Sequence, residues 1–155
     1  MRSILISFLA LAACTAAFAE EPFAGTWKLN LAKSKYSPGM APKEATLVIR
    51  EVAGAQVEQT VSGVGPDGKP LGIKQTVNQT GGVWKFQQGA PPAGTLSVIL
   101  KIGPRELYGG TYVADKQVSA GHATLSADGK TLVNTVKGVD PQGKPFENMT
   151  VFERQ

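Results

Sequence analysis

The chain has 155 residues, which suffices for one domain with a sizeable core and is short for two. With one cysteine and one histidine, it cannot form an internal disulfide or a cysteine-histidine zinc site from its own residues. Its sixteen basic and twelve acidic residues give a net charge of +4, and no two basic residues are adjacent, so a nucleic-acid partner is not expected.

The first 19 residues have the organisation of a secretory signal peptide. Arg2 is followed by an apolar stretch, 4–11, that is too short to span a bilayer. Ala17-Phe18-Ala19 then provides small residues at the two positions that signal peptidase reads. We therefore expect residues 1–19 to be removed and residues 20–155 to form a single β-barrel domain that is periplasmic or secreted.

A second interpretation of the same segment uses the only cysteine. The run that ends at Cys14, Leu-Ala-Ala-Cys, is similar to the lipobox of bacterial lipoproteins, in which the cysteine is acylated. Contact with a membrane is expected only in that case. The intact mass of the exported protein distinguishes a chain that starts at residue 20 from an acylated chain that starts at Cys14.

After residue 20, alternating apolar and polar residues predict strands separated by turns. The first strand is predicted at 23–30, and the irregular stretch 31–43 that follows is long enough to be a lid or a linker. Further strands are predicted at 44–52, 56–64, 71–79, 83–88, 95–102, 105–113, 117–125, 131–139 and 146–154. This rhythm predicts an all-β antiparallel meander of about 8–10 strands, closed as an up-and-down barrel, with a two-sheet sandwich as the alternative.

One turn and its flanking strands occur twice. The segments 60–70 and 135–145 share eight of eleven residues, and each contains Pro, Gly, Lys and Pro in the same order. Proline fixes the backbone at the start of such a turn, and glycine supplies the positive φ that the turn needs. We interpret both copies as hairpin turns rather than as a functional motif.

Aligning the two copies places amide side chains on the apolar faces of the flanking strands. Gln59 aligns with Asn134, and Gln75 lies on the returning strand of the first copy. Buried amides require hydrogen-bond partners. Two interpretations follow: the amides bond one another or the backbone within a filled core, or they line a partly polar cavity that holds a ligand.

Aromatic residues offer a second candidate for a binding site. Trp84 lies on one predicted strand, and Tyr108 and Tyr112 share a face of another with Gly110 between them. They are either ordinary core residues or the walls of an apolar pocket with space above Gly110.

Catalytic and metal sites are not supported by the sequence. His122 is the only side chain suited to general-base chemistry near neutral pH, and all four aspartates fall in predicted turns, where backbone hydrogen bonding explains them. No calcium loop, phosphate-binding glycine loop or Gly-x-Ser-x-Gly motif is present. We therefore predict no catalytic residues, no metal, no cofactor and no enzymatic activity.

The start of the predicted barrel resembles a known family. Gly25-Thr26-Trp27 looks like the Gly-x-Trp signature on the first strand of lipocalins and related calycin barrels. In that family the tryptophan closes one end of the barrel and packs against an arginine after the last strand, a position that Arg154 matches. The run 23–39 is also similar to small exported bacterial proteins of lipocalin-like type whose activity is uncharacterised. The resemblance implies a lipocalin-like barrel closed by Trp27 and Arg154.

Two functions follow as hypotheses. In the first, an exported barrel binds a small apolar or amphipathic molecule without catalysis, and six side chains form the site. These are Gln59, Gln75, Trp84, Tyr108, Tyr112 and Asn134. In the second, an envelope protein with a filled core and no ligand acts through its surface as a structural or interaction protein. The sequence specifies neither the ligand nor the oligomeric state.

Overall fold

A computed structural model describes residues 21–53 and 56–155, so the predicted signal peptide and Cys14 lie outside the described residues. It contains eleven strands and one short 3-10 helix, Leu31–Lys33. The strands are β1 (Gly25–Leu29), β2 (Glu44–Ala53), β3 (Gln56–Val64), β4 (Pro70–Asn78), β5 (Gly82–Val83), β6 (Lys85–Gln88), β7 (Thr95–Gly103), β8 (Glu106–Val113), β9 (Lys116–Leu125), β10 (Thr131–Val139) and β11 (Pro145–Arg154).

All eleven strands belong to one antiparallel sheet in the order β5-β7-β8-β9-β10-β11-β1-β2-β3-β4-β6. Most neighbours in space are also neighbours along the chain, which is the up-and-down meander that the turn spacing predicted. The predicted all-β barrel is confirmed, and the sandwich alternative is wrong because a single sheet accounts for every strand.

The barrel closes where the two outermost strands of the sheet follow each other in the chain. β5 pairs with β7, and β6 pairs with β4, so the short segment 82–88 joins both edges of the sheet. Between them, the Trp84 N–H donates to the Ser97 carbonyl at 2.9 Å. A sheet that is closed in this way exposes little unpaired strand edge. Among the described residues, no helix is long and apolar enough to cross a membrane.

The two ends of the barrel differ in how they are filled. We call the end that carries Phe23, Trp27 and the turn 126–130 the closed end, and the opposite end, which carries the two repeated turns, the open end. Inward-facing apolar residues near the closed end are buried; they include Phe23, Trp27, Ile49, Val57, Val77, Leu107, Leu132 and Phe152. Inward-facing residues nearer the open end, such as Ile73, Val136 and Phe146, are only partly buried. The core therefore fills the closed end of the barrel more completely than the open end.

Candidate functional site

A cavity of about 380 Å³ occupies the hollow part of the barrel. Its volume lies near the lower end of the 300–1,000 Å³ range that is common for ligand pockets. It exists because one wall has small inward-facing residues. On β7, β8 and β9 these include Ser97, Gly109, Thr111, Ser119, Gly121 and Ala123. The opposite wall carries full-sized side chains, so the space lies beneath the wall of small residues.

Three of the predicted amides lie on the walls of this cavity. Gln59 on β3 and Gln75 on β4 are cross-strand partners, and the Gln75 Nε2 donates to the Gln59 Oε1 at 2.6 Å. Asn134 lines the cavity from β10, which is separated from β3 in the sheet by β11, β1 and β2. The amides thus face the cavity from two separate walls, and the two glutamines also bond each other.

The Asn134 side chain differs from the glutamines in its surroundings. Its cross-strand partners are Ala123 and Thr150, and the Thr150 hydroxyl is bonded to the Tyr36 hydroxyl at 3.0 Å. Among residues 21–53 and 56–155, no side-chain hydrogen bond to the Asn134 amide is found. Its donor and acceptor atoms are therefore available to a molecule in the cavity.

The aromatic residues divide between the two faces of the sheet. Trp84 and Phe86 line the cavity, and Trp84 also packs against the buried core. Tyr108 is 45% exposed, since the adjacent Leu107 is the inward-facing residue at that point of β8. Strand alternation therefore leaves Tyr108 to contribute to the cavity wall through its backbone.

Tyr112 lies on the same outer face of β8. A side-chain carbon built on Gly110 would stand 3.2 Å from its Cε2, so the ring edge covers Gly110 from outside, not from the cavity. The space that the sequence suggested above Gly110 is thus occupied by Tyr112 itself. The structure brings Gln59, Gln75, Trp84 and Asn134 together as side chains and leaves the side chains of both tyrosines on the outside.

The closed end is sealed by Arg154 and the segment before β1. The Arg154 guanidinium lies 4.1 Å from the centre of the Trp27 ring, which is fully buried. It also donates to the carbonyls of Gly129 at 2.6 Å, Ala24 at 2.5 Å and Pro22 at 2.7 Å. A planar guanidinium can serve several carbonyls at once while stacking on an aromatic ring. Among the described residues, Trp27 and Arg154 therefore fill this end of the barrel.

The same segment is held by an ion pair. The Lys101 Nζ lies 2.8 Å from the Glu21 Oε2, and both side chains are mostly buried. Lys101 also lies 5.9 Å from the centre of the Phe23 ring, and Phe23 lines the closed end of the cavity. Residues 21–24 therefore form a plug beneath the cavity.

The open end is partly covered by the long connection between β1 and β2. Tyr36 bonds the inward-facing Thr150, and the Ser37 N–H donates to the Asn148 Oδ1 at 2.9 Å. The Asn148 Nδ2 donates to the Met40 sulfur at 3.7 Å. The segment 36–40 thus lies along β11 at the open end of the barrel and covers that side of the opening.

Both repeated turns lie at this open end and share the same backbone geometry. Gly68 and Gly143 have φ of 82° and 79°, the left-handed conformation for which glycine is favoured. In the first copy the Asp67 carboxylate accepts the Lys69 N–H at 3.0 Å, and this bond lowers the pKa of Asp67. In the second copy Asp140 accepts the equivalent Lys144 N–H at 2.8 Å. The turn residues serve hairpin geometry, as predicted.

His122 lies outside the barrel. Its Nε2 is 3.8 Å from the Glu106 Oε2, and both side chains are about half exposed. No group of three or more metal-ligating side chains occurs among the described residues. Neither His122 nor a group of metal-ligating side chains therefore forms a second candidate site among the described residues.

The sequence interpretation missed several lining residues. They include Ile73, Phe86, Ser97, Gly109, Thr111, Ser119, Gly121, Val136 and Phe152. A usable signal was present in the small residues at alternating positions of 109–111 and 119–123, which indicate a strand face without bulk. Recognising that face as the inner one required the strand pairing.

Comparisons with known proteins bear on the fold. No protein-family model matches the sequence. No curated protein matches it either. Among solved structures, the wild-type fluorescent protein UnaG is similar at a TM-score of 0.60 and 19% identity, covering 87% of this chain and 98% of UnaG. An asparagine-to-alanine mutant of UnaG gives the same score and identity and is covered to 97%. The siderocalin Ex-FABP is similar at a TM-score of 0.42 and 14% identity, covering 86% of this chain and 74% of that protein.

At these identities the likeness concerns the fold alone. UnaG is matched over nearly its whole length, so the similarity includes the complete barrel and not a single hairpin. Together with the single closed sheet, this supports the lipocalin-like fold that Gly25-Thr26-Trp27 suggested. The chain folds as a lipocalin-like β-barrel.

Proposed function

We propose that this chain is an exported binding protein that holds one small apolar or amphipathic molecule in its central cavity and does not convert it chemically. The observation that carries the proposal is the cavity of about 380 Å³ with Gln59, Gln75 and Asn134 on apolar walls. Pockets that orient small molecules combine mainly apolar walls with a few convergent polar groups. Residues 1–19, as a signal peptide, would send the barrel to the periplasm or out of the cell.

The filling of the barrel supports binding from one end. Trp27, Arg154 and the plug 21–24 seal the closed end, and the partly buried residues lie toward the open end. A molecule would therefore enter between the two repeated turns and the segment 36–40. Its apolar part would then rest on Phe23, Leu107 and Phe152 at the base of the cavity.

The test uses N-phenyl-1-naphthylamine, an uncharged probe whose emission rises in apolar surroundings. Titration of the purified protein should give a saturable rise, and native mass spectrometry should show one probe per chain. The same spectrum reports the mass of the N-terminus and any molecule that was co-purified. A linear, unsaturable rise without a one-to-one complex would contradict the proposal.

A second function is favoured by the outer surface. β7 carries apolar residues outward at alternate positions, with Leu96 44%, Leu100 45% and Ile102 53% exposed. Exposed apolar patches of this kind are typical of interaction surfaces. An envelope protein that acts through this face is the alternative, and it would bind a protein partner whether or not the cavity is occupied.

A further inference from the structure

The cavity has no charged side chain on its walls in the part of the chain that the structure describes. Its polar atoms come from amides, hydroxyls and backbone groups, including those of Gln59, Ser119 and Asn134. A net charge placed there would lose its hydration without gaining a counter-ion. This absence of charge restricts the chemistry of a ligand more sharply than the volume does.

Among the described residues, Lys101 and Arg154 are cations at inward-facing positions of the strands, and each already bonds other groups of the protein. Lys101 pairs with Leu107 across β7 and β8, and its Nζ contacts the Glu21 carboxylate at 2.8 and 3.0 Å. Arg154 uses its guanidinium on three backbone carbonyls and the Trp27 ring. Both lie at the closed end, so neither is free to receive an anionic group of a ligand.

The amides define what the cavity offers instead. Because the Gln75 Nε2 donates to the Gln59 Oε1, one amide hydrogen of that pair is used and the Gln75 carbonyl oxygen and the Gln59 NH₂ retain capacity. Asn134 adds a second amide from the other wall. Each wall can therefore both donate and accept. This matches neutral groups such as amides, hydroxyls and aromatic N–H, which need a donor or an acceptor and no counter-charge.

The free-energy cost of removing a charge from water favours neutral ligands over ionised ones. Moving an ionised group into an apolar environment without a partner costs several kcal/mol even after relaxation and water penetration. An anionic head that stays at the open end would avoid most of that cost but would hold the ligand higher in the cavity. Since each 1.4 kcal/mol is a factor of ten, a preference for the neutral member of a matched pair should be at least about tenfold.

We infer that the cavity selects uncharged ligands: flat or compact amphipathic molecules with one or two neutral hydrogen-bonding groups at the level of Gln59, Gln75 and Asn134. This inference rests on the proposed binding function and specifies its ligand class. The preference for neutral ligands arises because the described walls carry no charged side chain, and because Lys101 and Arg154 already bond other groups at the closed end.

The experiment compares two probes that share one ring system. N-phenyl-1-naphthylamine is neutral, and 8-anilino-1-naphthalenesulfonate adds a sulfonate to it. Both are titrated into the full mature protein and into three variants. Gly121→Leu fills the cavity and identifies binding that occurs elsewhere, for example over the apolar outer face of β7. Ser119→Lys adds a cation to the cavity wall, and Ser119→Met is its uncharged control of similar length.

The expected result is that the wild-type cavity binds the neutral probe at least about tenfold more tightly. Ser119→Lys should shift this ratio toward the sulfonate by at least about fivefold, whereas Ser119→Met should not. Sulfonate binding that persists in Gly121→Leu lies outside the cavity and agrees with the inference.

The inference is overturned if the sulfonate binds the wild-type cavity as tightly as the neutral probe, which is shown by loss of that binding in Gly121→Leu. In that case the binding function stands and only the ligand class is wrong. If neither probe binds the wild-type cavity, the proposed function fails, and the ligand class fails with it.

Discussion

Gly121 offers the most informative single change because its backbone faces the cavity without a side chain. A Cβ at this position would stand 3.5 Å from the Val136 Cγ2, 3.7 Å from the Thr135 carbonyl oxygen and 3.9 Å from the Asn134 Oδ1. These are ordinary van der Waals distances, so Gly121→Leu needs no backbone shift at its first carbon. The leucine would occupy cavity space beside Asn134.

The expected change in stability follows from two contributions of the same sign. Glycine within a strand is less stable than alanine by roughly 0.5–1 kcal/mol, because it loses more backbone freedom on folding. Burial of a leucine side chain adds at most about 2–3 kcal/mol, and less here because the cavity is open to water. We expect the free energy of unfolding to rise by about 1–2 kcal/mol and Tm by about 2–6 °C.

Ligand binding should change in the opposite direction. A leucine beside Asn134 takes space that the probe rings would occupy, and overpacking of this kind costs typically 1–3 kcal/mol. Affinity for N-phenyl-1-naphthylamine should therefore fall at least about tenfold. His122→Leu is the matched control: it adds leucine one residue along β9 on the exposed outer face.

The assay is a thermal melt together with a probe titration for wild type, Gly121→Leu and His122→Leu. A more stable Gly121→Leu that no longer binds, beside a His122→Leu that binds as wild type, supports the cavity as the site. A destabilised Gly121→Leu, or one that binds with unchanged affinity, would refute the reasoning.

Three further predictions concern the barrel itself. Replacing Arg154 with Lys keeps the charge but removes the planar guanidinium whose three nitrogens reach three separate carbonyls while it stacks on Trp27, so urea melts should show a loss of about 2–3 kcal/mol in the free energy of unfolding; a loss below about 0.5 kcal/mol would contradict its sealing role. The pKa of Glu153 is lowered, first by its hydrogen bond from Lys33, so its stabilising contribution is complete above its ordinary value of 4.5 and is lost as pH falls through the lower folded pKa. Urea melts of Glu153→Gln should therefore depend less on pH below that value, and an unchanged slope would refute the assignment. Gly63→Ala should destabilise the fold by more than about 2 kcal/mol in the same assay, because the new carbon would overlap the Glu44 carbonyl and φ is +152°. An unchanged free energy of unfolding would contradict this, since it would show that the β2–β3 pair can move to accept the added carbon.

Much of the barrel was predictable because residues that favour turns separate its strands in the sequence. Each reversal contains at least one Pro, Gly or Asp, and the runs between the reversals alternate between apolar and polar residues. The interruption at Trp84 was not predictable. β5 and β6 read as one strand in the sequence, and their separate pairing with β7 and β4 depends on barrel closure.

The amides of the candidate site were predictable because the repeat fixed their phase. Alignment of the two copies placed Gln59 and Asn134 on corresponding apolar faces, and both residues line the cavity. The tyrosines show the limit of this reasoning. Tyr108 and Tyr112 share a strand face, but the sequence does not say whether that face is the inner one, and β7 and β8 carry large apolar residues outward.

The small residues of the cavity wall were the hardest to interpret from sequence. Gly109, Ser119 and Gly121 look like weak strand formers until the pairing of β8 with β9 shows that they face the interior together. A strand face without bulk leaves space only if the opposite wall does not fill it. That condition is a property of the closed barrel and not of any segment.

The measurement that tests the central claim most directly is a crystal structure of the protein with N-phenyl-1-naphthylamine bound. The account predicts the probe inside the barrel, with its rings between Trp84 and the wall of small residues and its N–H within hydrogen-bond distance of Gln75 or Asn134. A probe found on the outer face of β7, over Leu96 and Leu100, with side chains or water filling the cavity, would contradict it.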